Sequence, residues 1–257
     1  MCDDFTPRLS AKALAKLAEE RLADLKADGE ELHPVVNRTR KLAANFWGSA
    51  WMRHLARCEA GGLCLAPGRS LLRHGCVLDL RIAPGLITAK VSAEELYEVQ
   101  LRIAPPDDDA METLRTACCG RIDSQVALLE GKVDASVLEV LCAEEGGLLP
   151  ESADWHMSCS CPDWSEPCPH AAAAIYAAGC LIDADPLLLF TLRSVAPEAL
   201  MSRPEPPPCA DFDAAALGAT FGIDLDLELS RGTFVPLSHH RTCHLWHTAV
   251  SNQRLRS

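Results

Sequence analysis

Cys159-Ser160-Cys161-Pro162-Asp163-Trp164-Ser165-Glu166-Pro167-Cys168-Pro169-His170 is the stretch on which the reading of this chain turns. Three thiols and one imidazole fall within twelve residues, in the order C-x-C, then C-x-H. Thiolate sulfur and imidazole nitrogen are the ligands zinc prefers, and four of them close a tetrahedral structural site. Cys159 and Cys161 alternate as strand positions do, so both thiols can face one side. Pro162 ends that strand. Pro169 suits the first position of a helix, where a missing N–H costs nothing. Ala171 to Ala178 has high helix propensity, and Gly179 is expected to end or thin the helix. His170 then sits in the first helical turn. Zn²⁺ with three thiolates and a neutral imidazole carries a net charge of −1, which suits the partial positive charge of a helix N-terminus. The stretch reads as strand, knuckle and ligand-bearing helix. The expected ligands are Cys159, Cys161, Cys168 and His170, holding one Zn²⁺ per chain. The competing reading, four unrelated residues in a chain of 13 cysteines, does not account for the order and spacing.

Working outward, CSCPDWSEPCPHAAAAIYAAGCLIDADPLLLFTLR resembles the SWIM-type zinc finger in the form found in bacterial SWIM zinc finger family proteins. Upstream, Phe46-Trp47-Gly48-Ser49-Ala50-Trp51 is similar to the W-G-x-x-W entry of those proteins. Gly68-Arg69 through Arg73-His74-Gly75, with Val77 to Gly85, is similar to their G-R…G…V-x-x-L-x-I-x-P-G stretch. The resemblance spans about residues 45–193. It implies a structural zinc, a role in binding DNA or protein, and partnership with Swi/Snf-type helicase-like ATPases. One departure is Pro169, where the family usually has a basic residue; this removes a cation beside the metal.

Charge is unevenly divided. Residues 105–192 hold three basic and sixteen acidic side chains, whereas 38–81 hold eight Lys/Arg against Glu59 and Asp79. An acidic finger region repels a nucleic-acid backbone. A nucleic-acid contact would therefore fall on Arg38, Arg40, Lys41, Arg53, Arg57, Arg69 and Arg73, with Phe46, Trp47 and Trp51 as stacking rings. The competing and favoured reading is a solvated charged face over a core built from those aromatics.

Hydrophobic periodicity predicts an α+β fold: N-terminal helices and a small antiparallel meander, a helical middle segment, the strand–knuckle–helix finger and a flexible C-terminal tail. The expected divisions are 1–44 (helix and connector), 45–104 (helix plus sheet), 105–150 (helical), 151–193 (finger) and 194–257 (Pro-rich linker and tail). Thr6-Pro7 would start a helix to about Lys26, with 30–44 a polar connector and a helix from Asn45 to Arg57. Strands are expected where Leu78, Leu80 and Ile82, then Ile87, Ala89 and Val91, then Tyr97, Val99, Leu101 and Ile103 alternate with their neighbours, with Pro84-Gly85 as a turn. Helices follow over 110–119 capped by Asp109, 124–130, 135–144 capped by Asp134, 186–192 and 213–221. Pro204 to Pro208 reads as a linker. His239 to His247 is rich in metal ligands, a compositional hint of a second metal.

The 257 residues hold no run of the ~18–20 apolar residues that span a bilayer. MCDDFTPRLS lacks the charged and apolar regions of a signal peptide, and the odd cysteine count fits a reducing cytoplasm. Cys58, Cys76, Cys142 and Cys180 read as buried thiols, and Cys118-Cys119 as two helix-end thiols. No phosphate loop, H-E-x-x-H or G-x-S-x-G is present. The expected function is a non-catalytic zinc-binding adaptor for a protein or nucleic-acid partner, accessory to a helicase-like ATPase. The alternative is a zinc-thiolate redox sensor or a zinc-dependent enzyme.

Overall fold

A computed structural model describes residues 9–143, 145–151, 154–163, 165 and 167–201, all within one compact unit. The predicted helix at 213–221, the linker at 204–208, the tail and the histidine-rich segment 239–247 lie outside the described residues.

The sheet follows the alternation seen in the sequence. β1 (Val77–Ala83), β2 (Leu86–Ser92) and β3 (Leu96–Ile103) make an antiparallel meander. Ile87 pairs with Leu101 and Leu80 with Ala89, placing apolar side chains on one face. Gly85 turns the first hairpin at φ +67°, a left-handed conformation that suits glycine. β4 (Trp155–Cys159), the lead-in of the finger, is the fourth strand of this sheet. It pairs with β3 from Ile103↔Trp155 to Val99↔Cys159. The finger is thus stitched into the meander through main-chain hydrogen bonds.

Helices cover the inner face. α1 (Ala11–Ala27) is capped by Ser10, whose hydroxyl accepts from Ala13 N at 3.3 Å; Thr6-Pro7, the expected start, lies outside the described residues. The following connector is less polar than expected. Val35 bridges to Val77, and Val35, Leu42 and Ala43 are buried. His33 O accepts from Leu80 N at 3.1 Å, so the connector runs along the β1 edge. α2 (Phe46–Ala60) runs three residues further than expected. α3 (Ala66–Arg73) was not among the expected helices, and it carries Pro67 and Gly68, the two residue types of lowest helix propensity. Pro67 occupies the first turn, where it is tolerated.

In the middle segment, α4 (Asp108–Cys118) is capped by Asp107, whose Oδ1 accepts from Ala110 N at 2.7 Å, rather than by Asp109. α5 (Gln125–Leu129) falls within the expected 124–130, and Ser124 caps it, its Oγ accepting from Ala127 N at 3.1 Å. α6 (Ala135–Leu141) ends earlier than 144, and Asp134 gives it no side-chain cap. That carboxylate faces Arg121 at 3.7 Å instead. After α7 (Pro169–Ala184) and α8 (Leu187–Leu192) comes α9 (Pro197–Met201). α9 corrects the reading of 194–201 as linker: Pro197 and Leu200 are buried, and the helix packs on α4 and α5.

α7 is the centre of the molecule. It packs against all four strands and against α2, α3 and α8. The run from Pro169 to Gly179 is buried on every side. A helix that is apolar all round belongs inside a core. Its alanines permit very close neighbours. A Cβ on Gly68 of α3 would lie 2.3 Å from the α7 backbone at Ala172 C and Ala173 N. A Cβ on Gly179 would lie 2.4 Å from Trp51 Cδ1. Gly179 therefore does not end the helix, which runs on to Ala184; it makes room for the Trp51 ring. Trp47 and Trp51 are fully buried and satisfied, Trp47 Nε1 donating to Leu128 O at 2.9 Å and Trp51 Nε1 to Ile175 O at 3.2 Å.

Two outcomes test this packing. Trp51→Ala should lower unfolding stability by about 3–5 kcal/mol, the range for truncating a buried aromatic, read by chemical denaturation. Gly68→Ala should cost more than the roughly 1–3 kcal/mol of ordinary overpacking, because the atoms it meets are main chain. A wild-type denaturation midpoint in either variant would contradict the seating of α7.

Candidate metal centre

The four sequence-predicted ligands converge. The ligand atoms of Cys159, Cys161, Cys168 and His170 all lie within 4.8 Å of one another. Each arrives by a different local device. Cys159 is the last residue of β4, and Cys161 lies two positions on, in the turn. That turn is pinned to β3 on both sides of Ser160: Ser160 N donates to Glu98 O at 3.0 Å, and Glu98 N donates to Ser160 Oγ at 3.0 Å. Cys168 is the N-cap of α7, its Sγ accepting from Ala171 N at 3.4 Å. Pro169 is buried at the helix start, and His170 follows in the first turn.

The imidazole points Nδ1 at the sulfurs, 3.9 Å from Cys159 Sγ and 4.0 Å from Cys168 Sγ. Bond lengths of about 2.3 Å to sulfur and 2.0 Å to nitrogen around tetrahedral zinc imply ligand–ligand separations of roughly 3.5–3.8 Å. The donor set and its spacing therefore fit a closed zinc site, with the metal drawing the most widely separated ligands in by up to about an ångström. The Tyr97 ring lies against His170, centroids 4.3 Å apart at 38°, and fixes the imidazole plane. His170 Nε2 is buried and has no hydrogen-bond partner among the described residues.

The thiols are already organised around negative charge. The hydrogen bond shared with Cys159 pulls the Cys168 thiol down to about 4, helped by His170 and by the Ala171 amide against the effect of burial. Cys159 is pushed up, by the same shared bond and then by burial. Burial also pushes Cys161 up. Three sulfurs and an imidazole crowded together in this way are what a divalent cation stabilises by holding the sulfurs as thiolates.

The pattern of ligands and flanking elements has a known form: the SWIM zinc finger family matches residues 157–179. Those residues form a SWIM zinc finger. The uncharacterized protein Rv2102 of Mycobacterium tuberculosis (strain ATCC 25618 / H37Rv) is 31% identical over 172 residues, which span 64% of this chain and 60% of that one. The chain thus covers less than two thirds of that relative's length. No solved structure matches.

Around the SWIM finger the structure adds residues that sequence patterning missed. Arg193, at the end of α8, is 2% exposed. It donates to Asp154 Oδ2 at 2.8 Å, just before β4, and to Ala104 O, just after β3. Burial lowers its pKa and Asp154 works against that, so the pair keeps a charged clamp at the finger's entry. Tyr97 and Ser160 carried no signal beyond strand alternation and a C-S-C spacing. His156 is exposed on β4 and lies outside the ligand group. Among the described residues no second cluster of three or more metal-ligating side chains occurs.

The seven predicted nucleic-acid cations divide. Arg38, Arg53, Arg57 and Arg73 are exposed, and Arg57 lies 3.5 Å from the His54 ring. Arg40, Lys41 and Arg69 line one cavity of about 230 Å³ with Ser49 and Met52. The rings proposed for stacking are not available. Trp47 and Trp51 are fully buried, and Phe46 packs edge-on against Trp47 at 5.0 Å. The favoured alternative, a core built from these aromatics, is what the structure contains.

Removal of one ligand tests the site. Cys168→Ser should abolish zinc retention, read by elemental analysis of the purified protein. Because β4 and α7 are integral to the sheet and core, hydrogen exchange should rise there and spread into β3, not stop at the knuckle. Full metal content in the folded Cys168→Ser protein would refute the ligand set.

Proposed function

We propose that this chain is a non-catalytic adaptor that holds one structural zinc and docks a protein partner. The observation that carries this reading is the closed Cys₃His cluster at the start of a core helix. Four protein ligands leave no coordination position for a nucleophilic water or a substrate. The metal would set the geometry of β4, the turn and α7, and supply no chemistry beyond that.

The charge pattern supports the choice of partner. The segment 105–192 is strongly acidic. Asp107, Asp109, Glu139, Glu145 and Glu151 line a broad cleft of about 870 Å³ between α4, α6 and the loop before β4. A basic protein surface complements such a face and a phosphate backbone does not. The SWIM resemblance points to a Swi/Snf-type helicase-like ATPase as that partner, working in the cytoplasm. No described helix is long and apolar enough to cross a membrane.

A redox-sensing reading has one observation in its favour. Cys159 and Cys161 are half-buried rather than sealed, and Cys159 and Cys168 line a cleft of about 200 Å³. Fully ligated thiolates resist oxidation better than free ones, so the adaptor reading ranks first.

The purified zinc-loaded chain should turn over neither ATP, peptides nor phosphodiesters. It should bind a helicase-like ATPase with an affinity that falls with salt and falls on reversal of Asp107, Asp109 and Glu139 to Lys. Zinc-dependent turnover lost in a folded His170→Ala variant would overturn the non-catalytic reading. Rapid, reversible zinc release by low peroxide would favour the sensor.

A further inference from the structure

The cavity beside α2 and α3 gathers three cations. Arg40 and Lys41 come from the connector, and Arg69 comes from α3; Ser49 and Met52 of α2 and the buried Leu42 and Ala43 complete the wall. Among the described residues none of the three cations is within ion-pair distance of a carboxylate. Arg40 and Lys41 are exposed, whereas Arg69 is half-buried.

Arg69 is also held in place. Its Nη2 donates to Tyr176 Oη at 2.9 Å, and its guanidinium carbon lies 4.8 Å from the centre of the Tyr176 ring. Tyr176 in turn donates to Glu59 Oε1 at 3.0 Å, which leaves its oxygen lone pairs facing Arg69. The Arg69 Nε–H is buried and has no acceptor among the described residues. A half-buried guanidinium with an unmet donor is costly unless something else supplies negative charge. Holding it on a core helix removes the entropy that an exposed arginine loses on binding.

We infer that Arg40, Lys41 and Arg69 form a phosphate-binding pocket, with Arg69 as the fixed donor and the two connector cations closing over the anion. A volume of about 230 Å³ accommodates a phosphate group with ordered water and is too small for the base and sugar of a nucleotide as well. The group bound is a phosphate, either free or one phosphodiester of a nucleic-acid strand. With Trp47 and Trp51 in the core, contact with a strand would be through its backbone alone and blind to sequence. The pocket is separate from the zinc ligands, so this inference stands or falls independently of the adaptor reading.

The test uses the full zinc-loaded chain. Inorganic phosphate and pyrophosphate are titrated by calorimetry, and a labelled 20-nucleotide single strand and the matching duplex by fluorescence anisotropy at 50 and 200 mM salt. Arg40→Gln/Lys41→Gln, at exposed positions, should retain wild-type circular dichroism and zinc content. It should bind phosphate or strand at least about tenfold more weakly. Arg69→Gln should do the same, and where a strand is the ligand each lost phosphate contact should lower the salt slope by about 1. Phosphate binding without strand binding assigns the pocket to a small phosphate. Strand binding competed by pyrophosphate assigns it to a nucleic-acid backbone. Absence of binding to any of these by the folded wild-type chain overturns the inference. So does unchanged binding in the Arg40→Gln/Lys41→Gln variant.

Discussion

One helix has to satisfy two demands at once. α7 begins with two of the four metal ligands and continues, without a break, through the most crowded part of the core. Its alanines bring α3 and α2 within reach of its backbone, with Gly68 and Gly179 removing the Cβ atoms that would otherwise collide. Side-chain packing at this density fixes a helix to fractions of an ångström. The position of Cys168 and His170 is therefore set by the core, and that of Cys159 by the β3–β4 ladder. Zinc would join two parts that are each already located. This differs from a free-standing zinc finger, where metal binding supplies most of the folding free energy. Here its loss would remove a tie between sheet and helix, while the contact of Tyr97 on β3 with the His170 ring and the packing of α7 on the strands would remain.

Much of this was legible in the sequence, and for identifiable reasons. The C-x-C…C-x-H order gave the ligands because metal chemistry restricts residue type and spacing together. The meander was readable because Leu78, Leu80, Ile87, Ala89, Val99 and Leu101 alternate with polar neighbours, and all of them are buried. The helices near 45–57 and 124–130 were placed within a few residues, whereas the caps expected at Asp109 and Asp134 were not the ones used. What stayed hidden depends on tertiary contact. α3 carries Pro67 and Gly68, which local propensity counts against a helix; only the approach of α7 shows why the glycine is needed. The same holds for Gly179, whose role is to admit Trp51. Arg193 reads as an ordinary surface cation until Asp154 and Ala104 are seen to surround it. α9 is five residues long, below the length at which periodicity says anything.

The charge division takes on meaning once the helices are placed. Pro169 stands where the SWIM resemblance has a basic residue, and it is buried at the first turn of α7. The knuckle thus presents no cation of its own at that position, and its surroundings are acidic. Positive charge collects instead on the connector, α2 and α3, where Arg40, Lys41 and Arg69 meet. Opposite charges on separate parts of one surface let two partners of opposite sign be held without competing for the same residues.

Both chemistries nevertheless share α7. His170 and Tyr176 are six residues apart, about 9 Å along a helix rising about 1.5 Å per residue. His170 faces the sulfurs, and Tyr176 orients Arg69. The dependence between them runs one way. A metal-site change that unseats α7 would displace Tyr176 and with it the guanidinium of Arg69. A change at Arg69 removes one bond to an already buried ring, whose hydroxyl keeps Glu59 as a partner, and leaves the ligands untouched. Zinc content therefore separates the two cases: loss of anion binding with full zinc reports on the cation pocket, and loss of both reports on the seating of the helix.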